Sequence, residues 1–343
     1  MNYFKNINLI AGVLTVLLSA LPCFARPMRI DIAREVRASV TEQKLSRDIG
    51  FLSDSLCAGR ATGTAGASET ASWIARRFAS LGVKPLGDSY FHGFKVAAAG
   101  AARNVLGLVK GCRGVTPKGY IIITASYDGL GIRGGNIYPG ADSNASGVAA
   151  MLSLAEMMTL SEDLGREYDA DIIFAGLDAK HHSFAGSAAL WDEISSGKIK
   201  DQTGRSIAPK NILMVLNIDQ IGSSLSPLSS GRKDYLIMLT GNTPTKDIML
   251  ANKSKETFLD LSFSYYGSPD FTNLFYRRVG DQKAFVEHGI PAVLATSGIT
   301  MNNNKTTDTL QNLDLPVLKR RIHLLWNWTE RVAGIRADNK STK

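Results

Sequence analysis

The chain contains five histidines, His92, His181, His182, His288 and His323, and these are its candidates for holding a metal ion through an imidazole nitrogen. Only the adjacent pair His181 and His182 closely follows a strand-like apolar run, Asp171 to Leu177, and strand ends are where side chains from distant segments can converge. Carboxylates stand nearby in the pattern: Asp128 just after the apolar run ending at Ala125, Asp219 just after Ile212 to Ile218, and Asp142 in an intervening loop. A mononuclear zinc site built from Asp128, Asp142, His181 and Asp219 is one expectation, but zinc needs tetrahedral ligands at about 2.0–2.2 Å and nothing in the sequence selects these four for that geometry. The plainer one, and the one preferred, is that His181 and His182 form a polar loop at the mouth of a cleft and that no metal is bound.

Other chemistries leave fewer traces. Gly129, Gly131 and Gly134 match G-x-G-x-x-G after a strand-like run, but the following residues, GGNIYPGADSNASG, read as an irregular loop rather than the helix a dinucleotide site needs, so these glycines predict a loop. No G-x-S-x-G nucleophile elbow and no G-x-x-x-x-G-K-[ST] phosphate loop occurs.

The elements that must position these residues alternate. Apolar runs of strand length occur at Asn104 to Val109, Tyr120 to Ala125, Asp171 to Leu177, Ile212 to Ile218, Tyr235 to Leu239 and Pro291 to Thr296. Helical spacing appears over residues 68–81, 146–160, 184–194, 245–259 and 316–332. Strands alternating with helices predict a three-layer α/β/α sandwich around a mostly parallel mixed sheet, in a single domain over residues 26–337 with a polar tail at 338–343.

Eight segments in order, LSDSLCAGRATGTAG (52–66), NVLGLVKG (104–111), ASYDGLG (125–131), YPGADSNASGVAAMLSLA (138–155), AGSAAL (185–190), LNIDQIG (216–222), HGIPAVL (288–294) and TTDTL (306–310), resemble the zinc-dependent exopeptidases of metallopeptidase family 28. The resemblance spans nearly the whole chain beyond residue 25 and implies two zinc ions bridged by an Asp. Each ion is also held by a His and a further carboxylate, with a Glu as general base on a metal-bound water.

Carried over position by position, the resemblance implies a site that has lost most of its ligands. The first His of the family falls at Ser126, and Asp128, which would orient it, is left with nothing to orient. The bridging Asp falls at Ser143, next to a retained Asp142. The base Glu and the neighbouring ligand Glu fall at Lys180 and His181. The fourth ligand is kept as Asp219, and the last His is replaced by Lys305. Lys180 and Lys305 are then expected to neutralise Asp128, Asp142 and Asp219 in place of the metal.

The resulting expectation is an exported, catalytically inactive homologue whose cleft binds a peptide-like ligand or partner protein. Two alternatives stay open: an active zinc aminopeptidase with a rearranged site, and an enzyme like the glutaminyl cyclases, which share the fold and use one zinc. Export rests on the first 25 residues, with one charge at Lys5, an apolar run from Ile10 to Leu21 and a cleavage-compatible Cys23-Phe24-Ala25. Together these predict a signal peptide and a secreted or periplasmic location. That run is too short to span a bilayer comfortably, and no later stretch has eighteen consecutive apolar residues. The net charge of +8 is scattered rather than striped with aromatics, which argues against nucleic acid. Cys57 and Cys112 could close one disulfide in an oxidising compartment. Tyr265, Tyr266, Phe271 and Phe275 could line an apolar pocket, with core packing the simpler account.

Overall fold

In the computed structural model, residues 31–336 are described, apart from 113 and 229. The segment read as a signal peptide and the polar tail therefore lie outside the described residues. The strands are β1 (Lys84–Pro85), β2 (Phe91–Val96), β3 (Gly100–Val109), β4 (Tyr120–Ser126), the hairpin of β5 (Ile132–Arg133) and β6 (Asn136–Ile137), β7 (Asp171–Leu177), β8 (Ile212–Ile218), β9 (Tyr235–Leu239), β10 (Asp260–Ser262) and β11 (Ala292–Thr296). All but the hairpin join one sheet in the order β1-β3-β7-β4-β8-β11-β9-β10, with β2 also on β3. The centre β7-β4-β8-β11 is parallel, whereas β3 meets β7 and β9 meets β11 antiparallel. Strands β4, β7, β9 and β11 are buried along their whole length, which is why their sequences are continuous apolar runs rather than alternating ones.

The pleat sends successive side chains to opposite faces. Ile121, Ile123, Ile172, Phe174, Leu216 and Met238 join the core on one face, under α1 (Ile32–Ser39), α2 (Glu42–Leu52), α3 (Ala65–Ser80), α4 (Gly147–Asp163), α6 (Lys246–Ala251) and α9 (Leu315–Ala333). Ile122, Ile173, Leu177, Val215 and Ile237 pack on the other, under α5 (Ala185–Ser195), α7 (Pro269–Arg277) and α8 (Lys283–Val286). The expected three layers are present. Helix α4 is buried on nearly every side, from Val148 through Met158, as a helix enclosed between the sheet and an outer helix layer must be.

One expectation needs correction, and one question that the sequence left open is answered. The helix predicted over 245–259 ends at Ala251, because Asn252 ties its side-chain amide to both the N–H (2.9 Å) and the carbonyl (2.8 Å) of Leu259, and Thr257 Oγ1 donates to the Ala251 carbonyl (2.9 Å). These bonds turn the chain directly into β10. The disulfide does not form: the Cys57 thiol donates to the Phe51 carbonyl and the Cys112 thiol meets Glu167 Oε2, each at 3.3 Å.

Two glycines of the G-x-G-x-x-G match have a packing role, while Gly134 stands in open space. Gly129 and Gly131 donate their N–H groups to the carbonyls of Arg60 and Gly59, at 3.0 Å each. A Cβ on Gly59 would sit 2.5 Å from the Gly131 carbonyl oxygen, so two backbones touch here where no side chain fits.

Candidate functional site

Because β4, β7 and β8 run parallel, their C-terminal ends open on one edge of the sheet and deliver Asp128, Lys180, His181 and Asp219 to a common crevice. Asp128 is fixed there by two backbone amides: Lys180 N–H donates to Oδ1 (2.9 Å) and His181 N–H to Oδ2 (3.1 Å). The same Oδ2 lies 3.0 Å from His181 Nδ1. Asp128 thus has an imidazole to orient after all. The histidine comes from the loop after β7 instead of from the end of β4, where Ser126 stands.

Lys180 faces Asp219, its Nζ at 2.7 and 2.6 Å from the two carboxylate oxygens. Burial works against the ammonium charge, yet the Asp219 carboxylate outweighs it and holds Lys180 above the ordinary lysine range. A third acid, Asp281, completes the cluster and was not singled out from the sequence. It is wholly buried, and neither carboxyl oxygen accepts a hydrogen bond among the described residues; the Ser187 hydroxyl donates instead to the Phe184 carbonyl (2.9 Å). Burial first, and the charge of Asp219 second, push Asp281 up to about 7, with Lys180 offsetting part of the rise.

Asp142 belongs to a different assembly. Oδ1 accepts from Gly222 N–H (2.8 Å), Ser223 N–H (3.3 Å) and Ser146 Oγ (3.1 Å), while Oδ2 accepts from Gln220 Nε2 (3.1 Å) and the Ser223 hydroxyl. Burial raises the Asp142 carboxyl, opposed by these donors and by the Arg321 charge. Gly222 is required: a Cβ there would lie 2.8 Å from Asp142 Oδ1 and 2.7 Å from Ser146 Cβ. Asp308, from the TTDTL segment, accepts the N–H groups of Asp142 (2.8 Å) and Ser143 (3.1 Å), and burial pushes it up to about 6. Arg321 clamps the 221–224 loop through the carbonyls of Ile221 (2.6 Å) and Ser223 (2.9 Å), its own guanidinium lowered to about 10 by burial.

A cavity of about 240 Å³ opens at the crevice. Ser143, Lys180, His181 and Asp219 lie on its polar side; Tyr265, Phe275, Leu294 and Ile299 form an apolar wall. Of the four aromatics noted in the sequence, Tyr265 and Phe275 line it. Tyr266 instead hydrogen-bonds Tyr235 Oη (2.6 Å), and Phe271 is 54% exposed. Lys305 departs from expectation: its side chain is exposed and forms no ion pair among the described residues, so Lys180 alone neutralises a carboxylate of the cluster.

These residues do not fit zinc. Both oxygens of Asp219 are held by Lys180, His181 Nδ1 is directed at Asp128, and both oxygens of Asp142 are taken by the 220–223 loop and Ser146. Among the described residues no group of three or more His, Cys, Asp or Glu side chains is arranged to hold a metal. Of the four residues of the expected mononuclear site, Asp128 and His181 pair with each other, Asp219 pairs with Lys180 and Asp142 with the 220–223 loop.

The sheet order and the strand-end crevice define the α/β/α architecture shared by zinc aminopeptidases and glutaminyl cyclases. The model of Peptidase family M28 matches residues 104–329, and the chain belongs to that family. Solved structures with the same fold include the LapA aminopeptidase of Legionella pneumophila (TM-score 0.65, 14% identity, 89% of this chain and 75% of that one). Another is the aminopeptidase from Aneurinibacillus sp. strain AM-1 (TM-score 0.63, 15% identity, 89% and 97%). The glutaminyl cyclase of Porphyromonas gingivalis is similar to the same degree (TM-score 0.63, 13% identity, 85% and 98%). At such identities the likeness carries the fold. Among the described residues no helix is long and apolar enough to cross a membrane.

Proposed function

We propose that this family M28 protein does not carry out metal-dependent peptide hydrolysis and that its crevice binds a peptide-like ligand, in a secreted or periplasmic setting. One observation carries the reading. The ammonium of Lys180, at the position the resemblance gives to the general base, grips both oxygens of Asp219, the one ligand position retained. A dication would have to enter beside an internal cation whose removal strands a desolvated carboxylate. The cavity supports ligand binding, since an apolar wall facing a few convergent polar groups is the usual composition of a small-molecule pocket.

The test uses the full chain, expressed with its own N-terminal segment, purified without chelator and dialysed against micromolar zinc. The expected result is zinc far below one equivalent, with no chelator-sensitive release of N-terminal residues and no glutaminyl cyclisation. Stoichiometric zinc together with either activity would overturn the proposal.

A further inference from the structure

We propose that Asp128, His181 and Ser143 form a metal-independent acyl-transfer site at the polar side of the cavity, acting on esters of small apolar acids. The inference rests on the cavity being a ligand site, as proposed above, and adds a reaction to it.

Three observations carry it. First, Asp128 is immobilised by the Lys180 and His181 amides and receives His181 Nδ1 at 3.0 Å. With Nδ1 donating to that carboxylate, the neutral ring carries its lone pair on Nε2, which has no protein partner among the described residues while the ring lines the cavity. A base so oriented is the general requirement for activating a hydroxyl. Second, Ser143 lines the same cavity. Its N–H is anchored on Asp308 (3.1 Å), but its hydroxyl forms no hydrogen bond among the described residues, not even with His181. Rotation about χ1 re-aims that hydroxyl, and such contacts commonly tighten only when substrate is bound. Third, the wall of Tyr265, Phe275, Leu294 and Ile299 suits an apolar acyl group.

The step balances without a cofactor. Ser143 Oγ bonds to the acyl carbon while the bond from that carbon to the leaving alcohol's oxygen breaks. The serine proton passes through His181 Nε2 to the departing oxygen, and water then releases the acid by the reverse sequence.

A fluorophosphonate probe, read by intact mass and peptide mapping on the full chain, tests the proposal. The expected result is a single adduct on Ser143, absent in Ser143→Ala, slowed roughly 10²–10⁴-fold in His181→Asn and unaffected by chelator. A folded Ser143→Cys variant should be alkylated by iodoacetamide at a rate that falls when His181 is also replaced. No adduct, an adduct elsewhere, or Ser143 labelling indifferent to His181 would overturn the acyl-transfer proposal. Calorimetric binding of leucyl-glycine to Ser143→Ala tells the two readings apart: binding without labelling removes only the chemistry, whereas neither removes the ligand site as well.

Discussion

Asp142 and Asp281 are both buried beneath one crevice, yet the protein treats them in opposite ways. Asp142 collects donors from Ser146, Gln220, Gly222 and Ser223 and so stitches the start of α4 to the loop after β8. Neither oxygen of Asp281 accepts a well-formed hydrogen bond among the described residues, although the Ser187 hydroxyl is near enough to ease its charge, and Asp281 lies next to an ion pair, Lys180 with Asp219. Burial by itself therefore does not assign a role. A carboxylate whose lone pairs are all spent is architecture, and one left unsatisfied stores an electrostatic cost that a neighbouring cation only partly relieves.

The largest effect should come from the satisfied side. Asp142→Ala is expected to cost about 3–5 kcal/mol in urea denaturation, because five donors lose a buried acceptor at once. A loss under about 1 kcal/mol would mean that the junction does not hold the loop. On the other side, Lys180→Ala should cost about 2–4 kcal/mol by leaving Asp219 buried without its counter-ion, and Lys180→Ala combined with Asp219→Ala should recover part of that. Equal losses in the single and double variants would break the assigned pairing.

Asp281→Asn sharpens the comparison through pH. Its carboxyl lies above the ordinary aspartate value of 3.8, at about 7, so the folded state holds a proton that the unfolded chain has already released. Between those values the wild type loses stability as pH rises, and the amide variant escapes this loss. The variant should therefore melt several degrees above the wild type at pH 8 and show a smaller gain at pH 5. A gain that does not grow with pH would show that Asp281 is not a titrating burden. The smallest effect belongs to Lys305→Ala, expected within about 0.5 kcal/mol of wild type, because its side chain stands in solvent. A larger loss would restore Lys305 to the neutralising role that the sequence suggested.

The sequence by itself determined the fold to a large extent. Runs 171–177, 212–218 and 235–239 coincide with β7, β8 and β9 to the residue, because strands covered on both faces, or nearly so in β8 where Leu213 is exposed, are dominated by apolar residues and stand out from their polar flanks. It also determined which residue types stand at the site positions, Ser126, Ser143, Lys180 and Lys305 among them, once the family resemblance supplied those positions. Tertiary structure alone decided what those residues do. Asp128 and His181 are 53 positions apart and meet only because β4 and β7 are parallel neighbours; no local spacing encodes that. Asp281 sits in a short loop between α7 and α8, where a lone aspartate reads as solvated surface until the sheet, Lys180 and Asp219 close over it. Lys180 and Lys305 looked equivalent in sequence, yet one is turned onto a buried carboxylate and the other into water. Side-chain charge is a property of the residue, whereas its partner is set by which chain segments the fold brings together.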